Sequence, residues 1–86
     1  MSDPRLDGLH SDWCVQGAAL KRTLRFADFA EALRAVNVIG DISETANHHP
    51  DIEFGWGYVR LRVTTHDVGR LTELDFALAK ALDQRL

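Results

Sequence analysis

The chain has 86 residues, 45% hydrophobic and 27% charged, with a net charge of −3 and a pI near 5.7. That length fits one globular domain with a thin core, since such a chain buries only about 60% of its unfolded surface. The acid excess argues against a broad nucleic-acid surface, no apolar run approaches the roughly 18 residues of a membrane span, and a single cysteine, Cys14, excludes an internal disulfide and a CxxC metal site.

Residues 1–10 read as a short polar lead-in with Pro4 and Gly8, and residues 11–86 as the single domain. Met1 to Arg5 lacks the apolar core of a secretion signal, so a reducing cytoplasm is the expected compartment. Trp13 to Gln16 is a short strand, and Gly17 is a turn or bulge after it. Leu20 to Phe26 alternates. Leu20, Leu24 and Phe26 share one face, and Lys21, Thr23 and Arg25 the other. Arg22 interrupts the apolar face, which points to a sheet edge. Cys14 is expected as a small buried hydrophobe.

From Ala27 to His48 the spacing becomes helical. Asp28 is the candidate N-cap, and Phe29, Ala30, Leu33, Val36 and Asn37 fall on one face. Val38, Ile39 and Ile42 widen the apolar surface, so this helix is expected to touch two neighbours. Pro50 disfavours helix at His49 and closes the segment. Asp51 to Phe54 alternates again, Gly55-Trp56-Gly57 is turn-like, and Tyr58 to Thr64 is a half-buried strand with Val59, Leu61 and Val63 on its apolar face. Tyr58, Arg60 and Arg62 stand outward, either solvated or on an edge that pairs with a second subunit. Thr65-His66-Asp67 is a loop. Residues from about 69 to 84 form a second helix with Leu71, Leu74, Leu78 and Leu82 on one stripe. The order β-β-α-β-β-α predicts an α+β fold: a four-stranded antiparallel sheet with two helices, or three, packed on one face.

The histidines concentrate chemistry. Glu44 and His48 are four residues apart, hence on one face of the helix end. His49 and Pro50 leave that end, and His66 follows a strand. Imidazole titrates near neutrality, so it can both give and take a proton. Three readings stay open on spacing alone: capping or surface histidines, a zinc held by three imidazoles with an open position, and a proton-transfer site. Adjacent side chains diverge, which counts against the metal. His10 reads as a surface residue.

The stretch around these histidines resembles the pterin-4a-carbinolamine dehydratase family, also known as a dimerisation cofactor of a homeodomain transcription factor. The family pattern is an acidic residue, three residues, His, His or Asn, Pro, five residues, an aromatic, nine residues, His, then eight or more residues and Asp. Glu44, His48, His49, Pro50, Trp56, His66 and Asp75 fill it. The flanks "RTLRFADFAEAL" (22–33) and "TTHDVGRLTELDFALA" (64–79) agree, and the likeness covers about residues 13 to 83. Two departures stand out. The helix that usually precedes the first strand is short or missing, and Gly69-Arg70-Leu71-Thr72 replaces Gly-Gly-Leu-Thr, leaving Arg70 to cap the second helix or reach a ligand.

The resemblance implies a hydro-lyase, 4a-hydroxytetrahydrobiopterin dehydratase, that dehydrates 4a-hydroxytetrahydropterin to quinonoid dihydropterin in tetrahydropterin recycling. It implies His48 and His66 as the acid/base pair and His49 as a further catalytic-site residue that orients the pterin, with the division between His48 and His49 open. Asn47, Thr64, Thr65 and Asp67 would line the pterin with the three histidines. Glu44 would hydrogen-bond an imidazole. Trp56 would pack on the ring or, as favoured here, fill the core, and Asp75 would be solvated or give a supporting hydrogen bond. Pro50 would shape the turn. No metal and no cofactor is expected. Expected partners are the pterin, further copies of the chain in a dimer or tetramer, and an aromatic amino-acid hydroxylase in the pathway. The alternative is a non-catalytic binding module, a transcriptional coactivator or assembly factor on the same fold.

Overall fold

A computed structural model describes residues 3–86. Each alternating run has one apolar face to bury, and the runs pair into one antiparallel sheet. Its strands are β1 (Cys14–Gln16), β2 (Ala19–Arg25), β3 (Asp51–Gly55) and β4 (Tyr58–Val63), in the order β1-β2-β4-β3. Helices α1 (Phe29–Ala46) and α2 (Glu73–Asp83) complete the expected β-β-α-β-β-α order of an α+β fold. Ahead of β1, the lead-in holds a 3-10 turn at Pro4–Leu6 in place of a third α-helix. Leu6 and Leu9 lean on the core. No helix among the described residues is long and apolar enough to cross a membrane.

The register sets the two faces of the sheet. Leu20 pairs with Val63 and Leu24 with Val59, and all four side chains are buried under the helices. Lys21 pairs with Arg62 and Thr23 with Arg60 on the opposite face. There Arg62 meets Asp51 at 3.6 Å and Arg60 meets Glu53 at 2.6 Å. The Glu53 carboxylate beside Arg60 raises that guanidinium above its usual range.

The expected edge position of β2 is corrected: β2 lies inside the sheet, between β1 and β4. Arg22 is tolerated on its apolar face because Asp83, at the end of α2, lies 2.6 Å from its guanidinium. The strand carrying Arg60 and Arg62 is also interior, so the edges are β1 and β3. Cys14 is exposed, not buried, because it pairs with Lys21 on the outward face of the sheet, while its neighbour Val15 packs on the core.

Helix α1 starts where expected, with the Asp28 side chain accepting the Glu31 N–H at 2.9 Å. Its inward face differs from expectation. Ala32, Ala35, Ile39, Ile42 and Ser43 are buried, while Phe29 and Leu33 are 46% and 41% exposed. The small alanines let the helix sit close to the sheet, and Phe29 packs sideways on Phe54 of β3. Helix α2 also turns by a residue. Thr72 caps it, so Asp75, Leu78, Ala79 and Leu82 face inward and Leu74 is exposed.

The β3–β4 hairpin turns through Trp56 and Gly57. Gly57 has φ +80, and a Cβ there would lie 3.1 Å from the Phe26 carbonyl oxygen. That carbonyl neighbourhood is tight because Phe26 N–H donates to the Gly57 carbonyl at 2.9 Å. At the tip of so short a turn, Trp56 points outward and is 73% exposed, which corrects the expectation that it fills the core.

Candidate active site

The site is built by the end of α1, the end of β4 and the start of α2. Asn47 ends α1 in a left-handed conformation, φ 51 and ψ 40. Asparagine tolerates that region better than most residues, so it suits a helix C-terminus. Its N–H donates to the Glu44 carbonyl, and the His48 N–H to the Ser43 carbonyl at 3.2 Å. The chain therefore reverses sharply before Pro50. His48 turns inward, with a side chain 13% exposed, and His49 turns outward at 54%.

Each histidine then meets its own carboxylate. His48 Nε2 lies 2.6 Å from Asp75 Oδ1, and Asp75 is wholly buried. His49 Nε2 bonds Glu44 Oε2, a pair that sits largely in water. Asp75 thus faces His48, and Glu44 faces His49.

Asp75 Oδ2 carries the rest of the network. It accepts the Thr65 hydroxyl at 2.7 Å and the Thr72 backbone N–H at 2.9 Å. The second of these bonds is half of a capping box that starts α2. One buried carboxylate therefore orients a histidine from α1 and organises the first turn of α2. A buried charge without partners would be costly; three hydrogen bonds from three segments compensate this one.

The other expected site residues are spread around this centre. Thr65 is buried, with its hydroxyl spent on Asp75 and Thr72. Thr64 is also buried, and its hydroxyl donates to the Ala18 carbonyl at 2.5 Å. His66 and Asp67 are exposed in the turn after β4, which is closed by bonds from Val68 and Gly69 to the Thr65 carbonyl. Arg70 pairs with Thr65 in an isolated bridge. A shallow groove lined by Thr65, Asp67, Val68, Thr72, Glu73 and Leu74 borders the site. Trp56, at the far hairpin, is not part of this hydrogen-bonded network. Among the described residues, no group of three histidine, cysteine or carboxylate side chains is placed to hold one metal ion. Sequence reasoning passed over Thr72. Its signal was the Thr72-x-x-Asp75 spacing of a capping box ahead of an apolar run.

A family profile described as pterin 4 alpha carbinolamine dehydratase matches residues 2–85. The chain belongs to the pterin 4 alpha carbinolamine dehydratase family. A relative from Chloroflexus aurantiacus, provisionally named as such a dehydratase, is 47% identical over 73 residues, covering 85% of this chain and 78% of its own. One from Trichormus variabilis, named in the same provisional way, is 43% identical over 74 residues, covering 86% and 80%. The crystal structure of a transcriptional coactivator/pterin dehydratase from Brucella melitensis superposes with a TM-score of 0.83 at 28% identity, covering 93% of this chain and 86% of that one. A pterin dehydratase-like protein described as a RuBisCO assembly factor in the alpha-carboxysome shares the fold, with a TM-score of 0.68 at 20% identity over 93% and 90% of the chains. Dehydratase-family membership thus rests on nearly the whole chain.

Proposed function

We propose that this chain dehydrates a 4a-hydroxytetrahydropterin. In that reaction the C4a–O bond breaks and the hydroxyl leaves as water after receiving a proton. N5 loses its hydrogen, and a C4a–N5 double bond forms, giving the quinonoid dihydropterin. One group must donate a proton and another must accept one. Each such assistance contributes typically 10²- to 10⁴-fold.

The observation that carries this reading is the clamp of His48 on the buried Asp75. A histidine held by a carboxylate through one nitrogen presents a defined second nitrogen for proton transfer. On this reading His48 and His66 are the acid/base pair. His49, exposed beside Glu44, orients the pterin. Asn47, Thr64, Thr65 and Asp67 line its binding site, with the Thr64 and Thr65 hydroxyls already taken within the protein. Pro50 fixes the turn, and Trp56 supports the site from the hairpin or from a neighbouring copy. The chain acts as a cytoplasmic homodimer or homotetramer, with an aromatic amino-acid hydroxylase upstream. The exposed Phe29 and Leu33 of α1 support self-association. No metal or cofactor is needed in this scheme.

The test is dehydration of enzymatically generated 4a-hydroxytetrahydropterin, followed by ultraviolet absorbance. Wild type should accelerate it, and His48→Ala and His66→Ala should each lose about 10²-fold or more. A folded wild type without turnover would sink the reading. The second reading is a non-catalytic module, favoured by the coactivator and assembly-factor descriptions of the two superposable proteins. It predicts that histidine substitutions leave partner binding intact.

A further inference from the structure

Thr72 lies outside the seven-position family pattern, yet it closes the hydrogen-bond chain behind His48. The direction of that chain follows from proton counting. An ionised carboxylate only accepts, and a threonine hydroxyl has one proton to give. Thr65 Oγ1 gives its proton to Asp75 Oδ2 at 2.7 Å. Thr65 must then be the acceptor in its 2.7 Å contact with Thr72 Oγ1, so Thr72 donates. The Thr72 hydroxyl oxygen in turn accepts backbone N–H groups at the start of α2, including Leu74 N at 3.3 Å. The order is therefore helix N–H, Thr72 hydroxyl, Thr65 hydroxyl, Asp75, His48. Both oxygens of Asp75 are thereby assigned. Oδ2 takes Thr65 and the Thr72 N–H, and Oδ1 remains for His48 Nε2.

We infer that Thr72 is a positioning residue for His48, acting through Thr65 and Asp75. It contacts Asp75 twice, directly through its N–H and indirectly through its hydroxyl, and so prevents the carboxylate from rotating. With Asp75 fixed as the acceptor, His48 Nε2 is held as the donor to Oδ1, and Nδ1 is the ring nitrogen left outside the relay. The relay couples the N-cap of one helix to the ring at the C-terminus of another. Hydroxyl chains of this kind polarise along their length, so loss of the first member is felt at the last. This inference rests on the acid/base role proposed for His48 only for its catalytic consequence; the orientation of the ring stands apart from turnover.

The experiment is side-chain ¹H–¹⁵N correlation of His48 in the ¹⁵N-labelled full chain, for wild type, Thr72→Val, Thr72→Ser and Thr65→Val. Wild type should show a protonated Nε2 whose proton exchanges slowly with water. Thr72→Val and Thr65→Val should speed that exchange about tenfold or more, as expected when a hydrogen-bond partner is loosened by 1.4 kcal/mol or more. Thr72→Ser should restore it. In the dehydration assay the two valine variants should lose kcat by roughly 10- to 100-fold, the range typical when an outer hydrogen-bond partner is removed, with little change in KM. A folded Thr72→Val with wild-type exchange at Nε2 overturns the inference, whatever its activity. If Thr72→Val does not fold, Thr65→Val decides: unchanged exchange there breaks the relay and overturns the inference equally. Altered exchange in a protein that never turns over would leave the inference standing and remove the dehydratase reading.

Discussion

Arg22 Nη1 and Asp83 Oδ1 lie 2.6 Å apart beneath the sheet, one from the interior of β2 and the other from the last residue of α2. Asp83 also accepts the Trp13 indole N–H at 2.7 Å and the His10 backbone N–H at 2.8 Å. One carboxylate therefore ties the lead-in, the central sheet and the final helix together. Breaking such a pair from one side leaves an unpaired buried charge, which typically costs about 3–5 kcal/mol. Asp83→Ala should destabilise by about that much, since Arg22 already has one buried nitrogen, Nε, without a partner. The double change Arg22→Met, Asp83→Leu should recover most of the loss. Urea unfolding of the three proteins measures both.

Asp75→Asn keeps the size of the side chain and removes its charge. The Thr65 hydroxyl and the Thr72 N–H still find an acceptor, but His48 loses a carboxylate partner. We expect a stability loss of about 1–3 kcal/mol and a fall in kcat of roughly 10- to 100-fold. Equal stability and equal turnover to wild type would show that the His48–Asp75 contact does neither job.

Asn47 pays the cost of a left-handed residue at φ 51. Alanine is strained there by about 1–2 kcal/mol, and glycine is not. Asn47→Ala should lower the melting temperature by several degrees, about 4–8 °C per kcal/mol in a domain of this size, and Asn47→Gly should hold it near wild type. If Asn47 also touches the pterin, Asn47→Gly will raise KM while the melting temperature stays put.

The Glu44–His49 pair behaves oppositely to His48–Asp75. Both its side chains are more than half exposed, so its stability contribution should be under about 1 kcal/mol. Glu44→Gln should leave thermal unfolding almost unchanged and act on KM more than on kcat. A large loss of stability would contradict the exposed placement of the pair.

Leu33→Asp tests self-association. Leu33 is 41% exposed beside Phe29 on the outer stripe of α1. If that stripe joins copies of the chain, sedimentation should report a smaller species for the variant at equal concentration. An unchanged mass would move the interface elsewhere or remove it.

What the sequence disclosed depended on how local the governing contact was. The alternation of Tyr58 to Val63 was legible because a strand with one buried face writes period two directly into the chain. Asp28 was legible as a cap because the N–H it accepts, that of Glu31, is three residues away. The seven spaced residues of the family pattern were legible, but the pairing among them was not. His48 meets Asp75 across 27 positions, and nothing local says whether Asp75 faces water or core. Arg22 misled for the same reason, since its partner lies 61 positions on. On α1, bulky Phe29 and Leu33 suggested the core face, whereas the close approach to the sheet required alanines. Trp56 was misread because its size argues for burial, while the two-residue turn that carries it leaves no core within reach.

The reversal at Asn47 also divides the two neighbouring imidazoles by tempo. His48 is bolted to a carboxylate with no exposure to water, and His49 to one that water surrounds. Exposed side chains change rotamer within picoseconds to nanoseconds, and packed ones do so far more slowly. On the dehydratase reading proposed above, His48 would be the stationary jaw of a vice around the pterin, and His49 the jaw that yields.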